Sequence, residues 1–194
     1  MLLKRCLLPL VSVFLLTSCG DDDPSGPGNL SGSMSFTYTG AGGGTFNVSG
    51  SAPALAANLG NSSFAAGFRD DVETQLAVMG VRARGGGRYD MMVLGISRLT
   101  VGSVNVEANC DPSQGDACSG FFLAINVSEA DEEFDFLCIA TTGTLSISSI
   151  SSTRAEGTFT GSGQCVNEGI QFSNFTIVNG EYDVALLSES QFPQ

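Results

Sequence analysis

The chain of 194 residues contains no histidine, no tryptophan and a single lysine, and its eight basic residues face twenty acidic ones. Each shortage removes chemistry. Without histidine there is no Ser-His-Asp or Cys-His hydrolase, no H-E-x-x-H zinc enzyme and no imidazole ligand for a metal. The one lysine, Lys4, lies in the N-terminal segment, so the rest of the chain has neither a Ser-Lys dyad nor a Schiff-base amine. Tyrosine is limited to Tyr38, Tyr89 and Tyr182, which leaves little of the aromatic platform that sugar clefts use. There is no G-x-S-x-G elbow and no P-loop. The run GAGGGT at 40–45 falls short of G-x-G-x-x-G because Thr45 stands where the last glycine belongs, and between two strand-like runs it reads as a turn.

Long hydrophobic runs are also missing. The apolar stretch from Cys6 to Leu16 is 11 residues and contains Pro9, whereas a spanning helix needs about 20. Lys4 and Arg5 precede it, and Leu16-Thr17-Ser18-Cys19 closes it. An aliphatic residue at −3, two small residues and then cysteine resemble the lipobox of bacterial lipoprotein signal peptides. That resemblance implies a signal over residues 1–18 and a diacylglyceryl thioether on Cys19, whose amine is freed by cleavage. One acyl chain holds a protein marginally, whereas two or more anchor it stably. Gly20 follows the cysteine in place of aspartate, which by the same resemblance implies the outer membrane, on its periplasmic or surface face. Five Asn-x-Ser/Thr sequons are present, and a chain this rich in Ser, Thr and Asn produces them by chance.

Residues 19–33 then form the lipidated N-terminus and an acidic linker. Two prolines, four glycines and low hydrophobicity over 20–33 predict a flexible segment with an r.m.s. reach of about 20 Å. Asp21 to Asp23 resemble the acidic run of some surface-exported lipoproteins, and equally serve to keep a linker solvated. Residues 34–190 are expected to form one domain, long enough to bury roughly 70% of its unfolded surface.

All twenty acids follow Cys19 but only six of the basic residues do, so the processed chain carries 6 − 20 = −14. That charge excludes nucleic acid as a partner and disfavours anionic lipid headgroups. Solubility, a cation or a basic partner remain compatible with it. With Cys6 in the signal and Cys19 acylated, Cys110, Cys118, Cys138 and Cys165 form an even set for an oxidising compartment. Three pairings are open. Cys110 and Cys118 flank the turn-rich loop DPSQGDA, which a hairpin would bring face to face, leaving Cys138 with Cys165. A thiolate metal site would use tighter C-x-x-C pairs, and no metal or other cofactor is expected.

Apolar alternation with period two dominates, punctuated by Gly, Asn and Ser. TQLAVMGVRAR and RYDMMVLGISRL, joined by Gly85 to Gly87, read as a hairpin. Phe121, Leu123, Ile125 and Val127 mark a half-buried strand, as do Phe134, Phe136 and Cys138. GTLSISSI and GTFTGSG read as further strands, then FSNFTIV and EYDVALL, split by the hairpin signal Asn179-Gly180. Residues 53–71 are less regular and suit a short helical turn. Ten to twelve short strands without a long helix predict an all-β fold, an antiparallel β-sandwich or partly closed barrel. The block from Gly143 to Gly163, with FTIVNGEYDV at 175–184, resembles the C-terminal part of uncharacterised bacterial outer-membrane lipoproteins. It implies a membrane-anchored β domain and carries no catalytic residues.

The candidate sites are few. Arg82, Arg84 and Arg88, around the triple glycine, are the only basic concentration, suited to gripping a carboxylate or phosphate or simply decorating a hairpin end. Two acidic clusters, Asp70, Asp71 and Glu73, and Glu129, Asp131, Glu132, Glu133 and Asp135, are the raw material for carboxylate hydrolysis or calcium. Neither has the D-x-D-x-D-G loop, and acids among Ser, Gly and Asp neighbours suit solvated turns. The expected function is therefore a membrane-anchored, non-enzymatic envelope lipoprotein whose β domain binds an envelope protein or glycan or plays a structural part. The alternative is a carboxylate-based hydrolase or calcium-binding surface domain.

Overall fold

The computed structural model describes residues 31–187 apart from 41, 53–58, 72–73, 109–117, 132, 168 and 170. Ten strands follow in chain order: β1 (Ser31–Thr39), β2 (Gly44–Ser51), β3 (Phe64–Asp70), β4 (Gln75–Gly85), β5 (Arg88–Ile96), β6 (Gly102–Asn105), β7 (Gly120–Ser128), β8 (Phe136–Ile150), β9 (Arg154–Asn167) and β10 (Phe172–Leu187). A 3-10 turn, Leu59–Asn61, lies before β3. β1 opens three residues ahead of the expected domain start.

Strands β3, β4, β5, β7, β8, β9 and β10 close into a ring, with every pairing antiparallel except the last. The ring is completed by a short parallel contact in which Leu186 and Leu187 of β10 meet Gly67 and Phe68 of β3. β1 and β2 branch from the same edge of β10 upstream of that contact, and β6 extends the edge of β8 beyond β7. The all-β antiparallel expectation holds.

The ring is flattened because one half lies over the other. A Cβ on Gly80 of β4 would fall 2.8 Å from Met34 Sδ and 3.1 Å from Phe46 Cε1, so β4 packs directly onto β1 and β2. The core between the halves takes alternate residues from every long strand. Phe36 stacks on Phe46 at 4.8 Å, and Phe159 bridges edge-on to Phe36 and Phe121.

Two readings of strand number change. The Phe136–Cys138 run and GTLSISSI are one strand, β8, with register shifts at Ala140/Thr142 and Ile147/Ser149. Such bulges bend a strand and let it serve both layers. Asn179-Gly180 makes no hairpin. It sits inside β10 at a bulge between Ile177 and Gly180, with Asn179 at φ 53°. Hydrogen bonding to β9 on one edge and β1 on the other holds the chain extended there, so the left-handed residue is absorbed as a bulge.

Cys138 and Cys165 are direct partners in the β8–β9 ladder, fully buried, and form a disulfide with Cα atoms 3.8 Å apart. Cys118 is also disulfide-bonded. Its expected partner, Cys110, lies outside the described residues.

Candidate functional site: an arginine-bound carboxylate between two unlike faces

Alternation along β4 and β5 decides where the arginines go. Leu76, Val78 and Gly80 face the interior, and the same parity carries Arg82 and Arg84 inward at the end of the ring. On β5, Met92, Leu94 and Ile96 face inward, and so does Asp90, the register partner of Arg82. Asp90 is 1% exposed. Its Oδ2 accepts from Arg82 Nε at 2.8 Å and Nη2 at 2.5 Å, and its Oδ1 from Arg84 Nε at 2.6 Å and the Asn126 amide at 2.9 Å.

The Asn126 bond exists because β7 bulges there. Tyr89 pairs with Val127 but Met91 with Ala124, so Ile125 and Asn126 together oppose Asp90. Asn126 takes φ 57°, a conformation asparagine tolerates better than most residues. Its side chain accepts from Arg88 Nε at 2.9 Å and donates to Asp135 at 3.0 Å. Arg88 Nη2 also reaches the Asn126 carbonyl at 3.1 Å.

The three arginines named from sequence are thus brought together, but around the protein's own groups. Arg82 uses Nη1 as well, on the Thr45 carbonyl at 2.7 Å, with its guanidinium 5.2 Å from the Phe46 ring centroid. Arg84 is 41% exposed and donates from Nε to Asp90. The hydrogen bond to Asp90, reinforced by that carboxylate's charge and opposed by burial, raises the Arg84 pKa further. Asp90 and Asn126 were not singled out in the sequence. The available signal was Asp90 itself, an acid on the core parity of an apolar strand, two residues before Met92.

The acidic clusters do not converge on one another. Asp70 and Asp71 are exposed, with Asp71 paired to Arg69 at 2.5 Å. Glu129, Asp131, Glu133 and Asp135 lie exposed around the β7–β8 turn, where Glu129 accepts from the Gly60 amide at 3.1 Å. Glu73 and Glu132 lie outside the described residues. Among the described residues no three acids or cysteines gather in a metal-ligating arrangement, and no helix is long and apolar enough to cross a membrane.

The two outer faces of the fold differ sharply. Across β2, β1, β10, β9, β8 and β6, register places Asn47, Ser35, Glu181, Thr158, Ser146 and Ser103 in one row. Ser103 and Ser146 share a hydroxyl–hydroxyl bond of 2.7 Å. A shallow depression of about 260 Å³ crosses this face beside Ser33, Glu156 and Asp183.

The opposite outer face is apolar. One row runs Phe64, Val81, Met91, Ala124, Leu137 and Val166, and is covered by Ala52, Leu59, Leu187 and Phe134. The neighbouring row runs Ala66, Met79, Val93, Phe122 and Ile139. Met79, Val93 and Phe122 are half-buried, and Ile139 is 57% exposed. No charged residue occupies either row.

Comparison with protein-family models, curated proteins and solved structures finds no match to this chain.

Proposed function

We propose that the protein is an envelope lipoprotein, anchored to the outer membrane through acyl chains on Cys19 and displaying a non-enzymatic β domain. The observation that carries this reading is Leu16-Thr17-Ser18-Cys19 behind Lys4, Arg5 and a short apolar run. The buried Cys138–Cys165 disulfide is in keeping with an exported chain. The β domain acts by surface contact with an envelope protein or glycan, or as a structural element. Of the arginines bound to Asp90, Arg84 is the more exposed and the one best placed to meet a ligand, since Arg82 is also tied to Thr45.

Metabolic labelling with a radioactive fatty acid in a bacterial host tests the anchor. The wild-type protein should take up label and appear as a processed form. Cys19→Ala should lose the label and accumulate as precursor, and equal labelling of the two would refute the reading.

A further inference from the structure

The uncharged apolar row on the outside of β3, β4, β5, β7 and β8 is unusual for a domain with this composition. Sheets that face water on one side alternate apolar with polar residues, and the other outer face of this protein does so. Here both faces of β4, β5 and β7 are apolar. The row that Leu59 and Leu187 cover belongs to the protein's own packing. The row of Met79, Val93, Phe122 and Ile139 is left without a second layer over it among the described residues, and Ile139 is 57% exposed; Phe172, 70% exposed, ends the neighbouring row, opposite Val166.

Where the chain enters the fold identifies an occupant. Ser31 opens β1, and the next residue, Gly32, touches β3 so closely that a Cβ on it would fall 2.4 Å from the Ala65 carbonyl oxygen. The chain therefore enters at the β3 end of the sheet, beside Ala65, whose neighbour Ala66 opens the apolar row. Four interstrand steps of about 4.8 Å carry the row about 19 Å from Ala66 to Ile139. Eleven residues lie between Cys19 and Ser31, and a random coil of that length has an r.m.s. reach of about 20 Å. A lipid on Cys19 thus brings the bilayer within reach of the whole row, while the hydroxyl-rich face points away.

We propose that this apolar face rests on the surface of the bilayer that holds Cys19, at the boundary between headgroups and acyl chains. The proposal builds on the lipid anchor. It places the domain on its side, with the tether and the apolar row acting together. Its contact is with the apolar boundary and not with anionic headgroups, which a processed chain of charge −14 repels.

The absence of tryptophan makes the test direct. Full-length lipidated protein carrying Ile139→Trp, or Thr37→Trp on the opposite face, is reconstituted into phosphatidylcholine vesicles with brominated acyl chains. Flotation of the vesicles comes first. Protein that does not float removes the anchor, and the proposal with it. With floating protein, a face buried about 5–10 Å into the boundary should lose about half of the residue-139 emission to bromine, with residue 37 unaffected. Equal, unquenched emission from both positions overturns the proposal while leaving the anchor intact. Residue-139 emission that is blue-shifted but insensitive to bromine also overturns it, and assigns the face to a protein contact.

Discussion

Arg82 and Asp90 are direct partners across the β4–β5 hairpin, with Nε 2.8 Å from Oδ2, and the carboxylate is 1% exposed. Four donors from three residues converge on it. A buried ion whose partners remain after its removal is costly, because the partners stay behind as uncompensated charge. Asp90→Ala should therefore destabilise the protein by about 3–5 kcal/mol in urea unfolding. Arg84→Ala, at the exposed rim, should cost about 1 kcal/mol or less. Equal effects from the two substitutions would show that Asp90 is not the hub.

The Cys138–Cys165 bond closes a sequence separation of 27 residues. Chain entropy alone assigns it about 3–4 kcal/mol. Both cysteines are fully buried in the core, so a reductant should act only after unfolding. The expected outcome is a lower urea midpoint for the Cys138→Ala/Cys165→Ala variant, with the wild-type midpoint unmoved by brief treatment with reductant at low denaturant. Rapid reduction of the native protein would contradict that burial.

Gly157 stands between its register partners Tyr182 on β10 and Ile147 on β8. The Tyr182 ring lies over it to donate to the Ser146 carbonyl at 3.0 Å, and a Cβ at 157 would fall 1.9 Å from that same carbonyl oxygen and 2.3 Å from Tyr182 Oη. Gly157→Ala should cost about 1–3 kcal/mol, the range for overpacking. The double variant Gly157→Ala/Tyr182→Leu should lose less than the sum of the two single changes. Strict additivity in thermal unfolding would dissociate the two residues.

Burial raises the Tyr182 pKa above its ordinary value of 10.0. A phenol that resists ionisation when folded but ionises freely when unfolded holds more protons in the native state above that pH. Its contribution to stability is complete below pH 10 and is lost as pH rises toward the folded pKa. Stability should fall above about pH 10 with a slope that Tyr182→Phe reduces. Phenolate absorbance should develop at higher pH in the native protein than in urea, and Tyr182→Phe should narrow that difference. An unchanged slope in the variant would remove Tyr182 as the cause.

The all-β class was legible because alternation runs through nearly every strand, and the β4–β5 hairpin because three glycines separate two apolar runs. The Cys138–Cys165 pairing emerged from the short loop assigned to the other two cysteines. The arginine cluster was visible, but not its target. That Arg82 faces Asp90 depends on the hairpin register, which a triple glycine leaves open by one residue, and one residue of slip would turn Asp90 to the outer face. The β7 bulge that adds Asn126 to the site has no marker beyond an asparagine in an apolar strand. The apolar outer face was hidden for another reason. A strand apolar at both parities, such as GFFLAINV, reads as buried on both sides, and what covers each side is settled by the tertiary arrangement. Asn179-Gly180 misled because a dipeptide that favours positive φ serves a bulge as readily as a turn.

The parallel joint between β10 and β3 has a consequence for how the molecule comes into being. β10 hydrogen-bonds to β9, β1 and β3, so the last of the described strands to be synthesised is the one that completes the circuit. A nascent chain that has emerged only as far as β9 can form hairpins and the β8–β9 ladder, yet the β1–β2 pair has no strand of the ring to join and β3 keeps an open edge. The ring therefore cannot close until β10 has been made, and the long-range pairings of β1 and β3 with it form only then. Until then the circuit stays unclosed, and an unclosed sheet is easier to pull apart, and so to thread through a narrow channel, than a closed one.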